Sequence, residues 1–193
     1  MPQDKAHRDF AHAALPLNWY EVAKLLHENA HTLYATRLRS AVIYSDGIRA
    51  KQKPTANRAV FLLLAFALEN LLKAFLIYEN PTYIEGGKLS KKLLNGHSLS
   101  GLQKACKKIP SPVRTRFVFV VLEVGVNSWA RYPCSTAMER ETEERAVTPE
   151  FWASYNKVFD LYSQRLESLL EKLWKGPYGE EMRVEFRRAK SEA

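Results

Sequence analysis

Apolar residues along this chain recur mainly at helical spacing, which predicts a bundle of helices rather than a sheet. Val22, Leu25, Leu26, Ala30, Leu33 and Tyr34 fall on one broad face, with Asn18 as the expected cap of a first helix. That helix is expected to run on past Arg39, until Ser45-Asp46-Gly47 breaks it. Pro54 and Thr55 then open a second helix, from about Ala56 to Tyr78, and Asn80-Pro81 stops it. Its apolar residues go nearly all the way round, so its expected place is the centre of the bundle.

Residues 81–97 carry Gly86-Gly87, Gly96 and the basic trio Lys88, Lys91 and Lys92, and read as a connection with one helical turn. Ser98 or Ser100 begins a short helix containing Leu102, Ala105 and Ile109, with Lys104, Lys107 and Lys108 facing solvent. Ser111-Pro112 reads as a cap followed by proline at the first helical position. Phe117-Val118-Phe119-Val120-Val121 is β-prone, but that start signal and the length to Ala130 favour a buried helix, which Pro133 ends. A charged loop over 134–147, with Glu139, Glu141, Glu143 and Glu144 against Arg140 and Arg145, leads to Thr148-Pro149-Glu150, the clearest helix start in the chain. Trp152, Tyr155, Phe159, Tyr162, Leu166, Leu169 and Leu173 follow at spacings of three and four, and Gly176-Pro177 closes the helix. The expectation is one all-α domain over 1–175, an antiparallel bundle of four to five main helices. A charged C-terminal tail over 176–193, with Arg183, Arg187, Arg188 and Lys190, is expected to be mobile.

Composition narrows the class without naming an activity. Hydrophobic residues make up 46% of the 193 and charged residues 26%, which excludes a disordered chain and a membrane bundle. The formal net charge is +8, and it is unevenly placed: residues 51–116 hold twelve Lys or Arg against Glu69, Glu79 and Glu85. The basic surplus of the middle third favours a polyanionic partner. Met1-Pro2-Gln3-Asp4-Lys5 leads into no apolar run, and the longest uninterrupted apolar stretch, Ala59 to Leu68, is too short to span a bilayer. Cys106 and Cys134 lack paired-ligand spacing and fit a reduced compartment. The reading is a cytoplasmic protein with no membrane partner and no cofactor.

Several constellations could carry chemistry. His27-Glu28-Asn29-Ala30-His31 is literally HExxH on a predicted helix, where two histidines one turn apart can grip a zinc ion. Asn29 is polar where zincins usually carry an apolar residue, Tyr34 stands where the metzincin glycine would be, and no third ligand follows, so no metal site is assigned. Glu69 and Lys73 lie at i and i+4 in the favourable order, with Leu62, Phe66 and Leu76 along the same stripe. On a central helix the pair would be partly buried and would need further polar groups, for which His97, Arg131 and Tyr132 are the candidates. Gly96-His97-Ser98 precedes a short helix, where a histidine can bind phosphate or relay a proton. Tyr78, Tyr83, Lys88, Lys91 and Lys92 could hold a nucleic acid by charge and stacking, or form an ordinary solvated face. The chain has no Ser-His-Asp arrangement, P-loop, dinucleotide fingerprint or Cys/His metal cluster.

The ordered set Ala67-Leu68-Glu69-Asn70-Leu71-Leu72-Lys73, then Gly96-His97-Ser98-Leu99, then Arg131-Tyr132-Pro133 before a long final helix resembles the HEPN-like (higher eukaryotes and prokaryotes nucleotide-binding) helical-bundle proteins. The likeness covers about residues 15–175. It implies an antiparallel bundle of four or five helices, often dimeric, and a place among ribonucleases or nucleotide binders of toxin–antitoxin and other defence systems. The ribonuclease members carry an arginine followed a few residues later by a histidine near the start of a late helix. Here no histidine follows His97, and Arg8 with His12 has the wrong spacing and place.

Three functional expectations follow. The first is a HEPN-like domain, itself a homodimer, that binds a nucleotide or RNA phosphate at Lys73, His97, Arg131 and Tyr132, with Glu69 orienting them. The second is a metal-independent ribonuclease in which His97 is the general acid–base and Lys73 or Arg131 stabilises the phosphorane. The third is an interaction module in which the same cluster is structural.

Overall fold

A computed structural model describes residues 2–39, 41–45, 47–48, 50–94, 97–110, 116–132 and 143–187. Gly96, Ser111-Pro112, Pro133, Cys134, the charged residues 139–141, Arg188 and Lys190, all invoked above, lie outside the described residues, as does Asp46. The elements in chain order are α1 (Pro2–Ala13), α2 (Pro16–Thr36), β1 (Ala41–Ser45), β2 (Ala50–Pro54), α3 (Asn57–Glu79), a 3-10 turn (Pro81–Ile84), α4 (Leu99–Ala105), α5 (Arg116–Asn127), α6 (Pro149–Leu170), β3 (Trp174–Lys175) and β4 (Glu181–Met182). The architecture is all-α in its load of structure, with two small hairpins added.

α3 is the axis of the molecule and packs against α2, α4, α5 and α6. From Leu71 to Ile77 every residue is buried, which is possible only for a helix covered on all sides. By length and composition α3 is apolar enough to cross a membrane, with a mean hydropathy of 2.1, but 78% of that window is buried inside the fold. Its apolarity is spent on the core. The β-prone run Phe117–Val121 is helical, as expected, with Val118, Phe119 and Leu122 buried. Thr148 caps α6 through Oγ1, which accepts the Phe151 N–H at 3.2 Å.

Several boundaries differ from the sequence reading, among them the ends of α4 at Ala105, before Ile109, and of α5 at Asn127, before Ala130. The segment before Leu15 is a helix of its own, α1, anchored through Ala11, Ala14 and Leu15. Its apolar face consists mostly of alanines, too weak a signal to register as periodicity. Asn18 is not the cap of α2, which starts at Pro16. Its side-chain amide instead donates to the carbonyls of His12 (2.7 Å) and Ala13 (3.0 Å), closing the C-terminal end of α1. α2, the first helix of the sequence reading, also stops earlier than expected, at Thr36. Residues 41–45 pair antiparallel with 50–54, from Ala41 opposite Pro54 to Ser45 opposite Ala50. The turn holds Gly47 at a φ of 85°, a conformation that favours glycine.

α6 ends at Leu170, short of Gly176-Pro177, and the described part of the tail folds back on the bundle. β3 pairs with β4, the Val184 N–H donates to the Leu170 carbonyl at 2.9 Å, and Phe186 meets the Tyr20 ring edge-on at 6.1 Å. Trp174 is buried.

Candidate functional site

Glu69 stands on α3 between Phe66 and Lys73, and its carboxylate is divided between two partners. Oε1 accepts from Lys73 Nζ at 2.6 Å, and Oε2 from His97 Nδ1 at 2.8 Å. Both members of the helical pair are buried, with residue exposures of 6% for Glu69 and 8% for Lys73, so the pair cannot lean on water. Two completing contacts offset the cost of burying it. One is the histidine, and the other is the Trp19 ring, which lies 5.4 Å from Lys73 Nζ in cation–π range. Trp19 is itself fixed by its indole N–H, which donates to the Ala14 carbonyl at 3.1 Å.

His97 arrives from the connection before α4. Its ring lies 5.4 Å from that of Phe66, and its side chain keeps 30% of its exposure. An ionised carboxylate only accepts, so the Nδ1 bonded to Glu69 carries the proton. Nε2 is then the free nitrogen, and among the described residues it has no hydrogen-bond partner. The backbone that carries His97 is held from α5. Glu123 accepts from Ser98 Oγ at 3.1 Å and from the Ser100 N–H at 2.9 Å, while Ser98 Oγ also accepts the Gly101 N–H at 3.2 Å. The arrangement is a carboxylate-oriented imidazole, one edge buried and one edge presented.

Of the sequence candidates, the structure brings Glu69, Lys73 and His97 together and leaves Arg131 and Tyr132 elsewhere. Both are exposed in the turn after α5, with the Arg131 guanidinium 5.3 Å from the Tyr132 ring centre. The Tyr132 carbonyl accepts from Arg58 Nη1 at 2.9 Å, which ties that turn to the first turn of α3. Arg58 and Glu69 are eleven positions apart on one helical stripe, about 16 Å along the axis. Glu123 and Trp19 were not anticipated, whereas Phe66 was expected on the same stripe of α3. Glu123 did carry a signal, being a lone acid inside the apolar run of α5.

The HExxH histidines serve packing. His27 stacks on Phe159 at 3.9 Å and its Nδ1 lies 3.2 Å from the Tyr155 hydroxyl. His31 meets Trp152 edge-on at 4.6 Å, and its Nε2 lies 3.0 Å from Asn156 Oδ1. Both rings thus bind α2 to α6, and no group of three His, Cys, Asp or Glu gathers among the described residues. Burial, together with the neighbouring His31, pushes the His27 pKa down to about 4. The unfolded chain therefore binds a proton between pH 6.5 and 4 that the folded chain refuses, and stability falls as the pH drops through that window. Each unit is worth about 1.4 kcal/mol, and solvent screening of a half-buried ring brings the expected loss to about 1–2 kcal/mol. Urea unfolding of the wild type and His27→Phe at pH 7.5 and 4.5 measures it. The variant should lose less stability over that interval than the wild type, and parallel profiles would contradict the assignment.

Cys106 is inert in the same structural sense. Its thiol donates to the Leu72 carbonyl at 3.5 Å, and burial pushes its pKa well above the ordinary thiol range.

No protein-family model matches the chain, and no curated protein or solved structure is significantly similar to it. The site therefore rests on its own geometry.

Proposed function

We propose that this chain is a HEPN-like domain that binds the phosphates of RNA at the exposed edge of His97. The observation that carries the reading is the division of the Glu69 carboxylate between Lys73 and His97. Lys73 neutralises Glu69, and the carboxylate aims the imidazole so that Nε2 points away from the protein. A protonated Nε2 is a hydrogen-bond donor suited to a phosphate oxygen, and the local charge is then positive.

The surroundings favour a polymer over a single nucleotide. Leu62 and Phe66 lie partly exposed on the α3 stripe between Arg58 and Glu69, a surface on which a base can rest. Arg131 belongs to the turn tied to Arg58 at the start of that stripe, where it would meet a different phosphate from the one at His97. Lys88, Lys91 and Lys92 are exposed on the connection that also carries His97, and supply attraction without sequence preference. A toxin–antitoxin or other defence setting and a homodimer belong to the same reading. Light scattering tests the dimer against the 22.2 kDa of one chain.

A second reading has a specific observation behind it. A carboxylate–imidazole pair with a free Nε2 is also the arrangement of a general base, so a metal-independent ribonuclease centred on His97 is the alternative. One experiment covers both: labelled RNA is incubated without metal with the wild type and His97→Ala, and scored for mobility shift and cleavage across a salt series. The binding reading expects a shift that weakens steeply with salt, is reduced about tenfold by His97→Ala and leaves the RNA intact. Cleavage by the wild type alone would establish the enzyme. An absent or salt-independent shift, with intact RNA, would overturn both.

A further inference from the structure

Beside the His97 segment, a cavity of about 350 Å³ opens between α3, α4 and the connection over 80–94, lined by Leu76, Tyr83, Lys92, Ser98, Gly101, Leu102 and Ala105. Its cause is the length of α4. A helix of seven residues cannot cover the flank of α3 beyond Leu76, and the connection arches over the gap instead of filling it.

The walls are fixed. Ile84 and Leu93 are fully buried and pin the two feet of the arch, which is closed by the Ser90 N–H donating to the Tyr83 carbonyl at 2.7 Å. The far end of α4 is held to α3 by the Cys106 thiol on the Leu72 carbonyl and by Glu79. That carboxylate accepts the Lys107 and Lys108 backbone N–H groups at 2.8 and 2.7 Å. A preformed space of this size falls at the small end of the range for small-molecule sites.

We propose that this cavity is a binding site for a small amphiphilic anion, one with a planar apolar body and a single carboxylate, sulfonate or phosphate. Leu76, Leu102, Ala105 and the Tyr83 ring offer apolar walls. The Ser98 hydroxyl is already engaged by Glu123 and Gly101, so it lines the cavity without seeking a partner. The cation available to a ligand is Lys92, whose Nζ lies 5.8 Å from the Tyr83 ring centre at the exposed mouth. Glu123 is hydrogen-bonded to the start of α4 and Glu79 to the segment after it, so both keep their negative charge at the two ends of α4 and confine an anion to the mouth, beside Lys92. Lys88, Lys91 and Lys104 add positive field around the opening. The ligand body would rest on Tyr83 with its anion on Lys92. This inference goes beyond the RNA reading: Lys92 is common to both, but the cavity uses neither His97 nor Glu69.

Titration of the full chain with 1-anilinonaphthalene-8-sulfonate, an aromatic sulfonate, tests it by fluorescence. The expected result is saturable binding at one site per chain, which thioflavin T, a cationic aromatic, does not compete away. Ala105→Trp places an indole across the mouth from an exposed position and should abolish the signal. Lys92→Ala should weaken binding about threefold to fivefold. Circular dichroism confirms that each variant keeps its helices, and Lys92→Ala keeps the test open should Ala105→Trp fail to fold. Unsaturable binding, or a signal unchanged in Ala105→Trp, would overturn the site. Equal binding of thioflavin T, or no change in Lys92→Ala, would overturn the anion.

Discussion

Lys73→Met is expected to destabilise the protein by about 3–5 kcal/mol, the cost of leaving a buried carboxylate without its nearest cation. Glu69 would keep only His97, which reaches it from a half-exposed position at 2.8 Å. The double variant Glu69→Leu/Lys73→Met removes both charges from the apolar surroundings of α3 and should recover most of that loss, because the pair itself contributes little beyond its own desolvation. Urea unfolding of the wild type, the single and the double variants measures the cycle. A single variant within about 1 kcal/mol of wild type would mean that water reaches the site. The folded double variant has a second use. It retains the scaffold but no longer orients His97, so it should weaken RNA binding by no more than the roughly tenfold loss expected of His97→Ala while remaining stable. An interaction module with a merely structural cluster would show no RNA binding in either form.

Asn57→Ala is the second large effect, with an expected cost of about 2–3 kcal/mol. Asn57 is buried at the start of α3, and its amide donates to Glu144 Oε1 at 3.1 Å and to the Arg145 carbonyl at 2.9 Å. Its Oδ1 accepts the Val147 N–H at 3.1 Å. Truncation orphans backbone groups at Arg145 and Val147 that no other side chain replaces. Glu144 is also the partner of Arg58, which holds the Tyr132 carbonyl, so the loss should spread to the turn carrying Arg131. Asn57→Asp separates shape from charge. It preserves the acceptor for Val147 but sets a second carboxylate beside Glu144, and it should be at least as destabilising as alanine at neutral pH. Thermal unfolding that ranks Asn57→Asp near wild type would refute the network.

Part of the site was readable along the chain because its chemistry is local. Glu69 and Lys73 are one turn apart on a helix too apolar to be exposed, so their pairing and burial followed from spacing alone. His97 stood out as a histidine between a connection and a helix start. Arg131 failed for the opposite reason. Its distance in sequence from Glu69 says nothing of distance in space, and the turn after α5 is drawn to Arg58, at the other end of the α3 stripe. HExxH is a case in which the local geometry was legible and its use was not. The two histidines do share a face, but that face is occupied by Phe159, Tyr155 and Trp152 of α6, whose positions no local motif contains.

The helices α3 and α6, the all-α class and the Glu69–Lys73 pair were contained in the order of residues, because helix formation and i, i+4 contacts depend on neighbours within a turn or two. The docking of 174–187, the Glu123 support of α4 and the Asn57 network came from tertiary structure alone. Each joins segments that chain order keeps apart, up to 90 positions for Asn57 and Val147. Such contacts form only when the packing of α3 against its neighbours has brought their backbones within hydrogen-bonding distance, and that depends on the shape of the whole core.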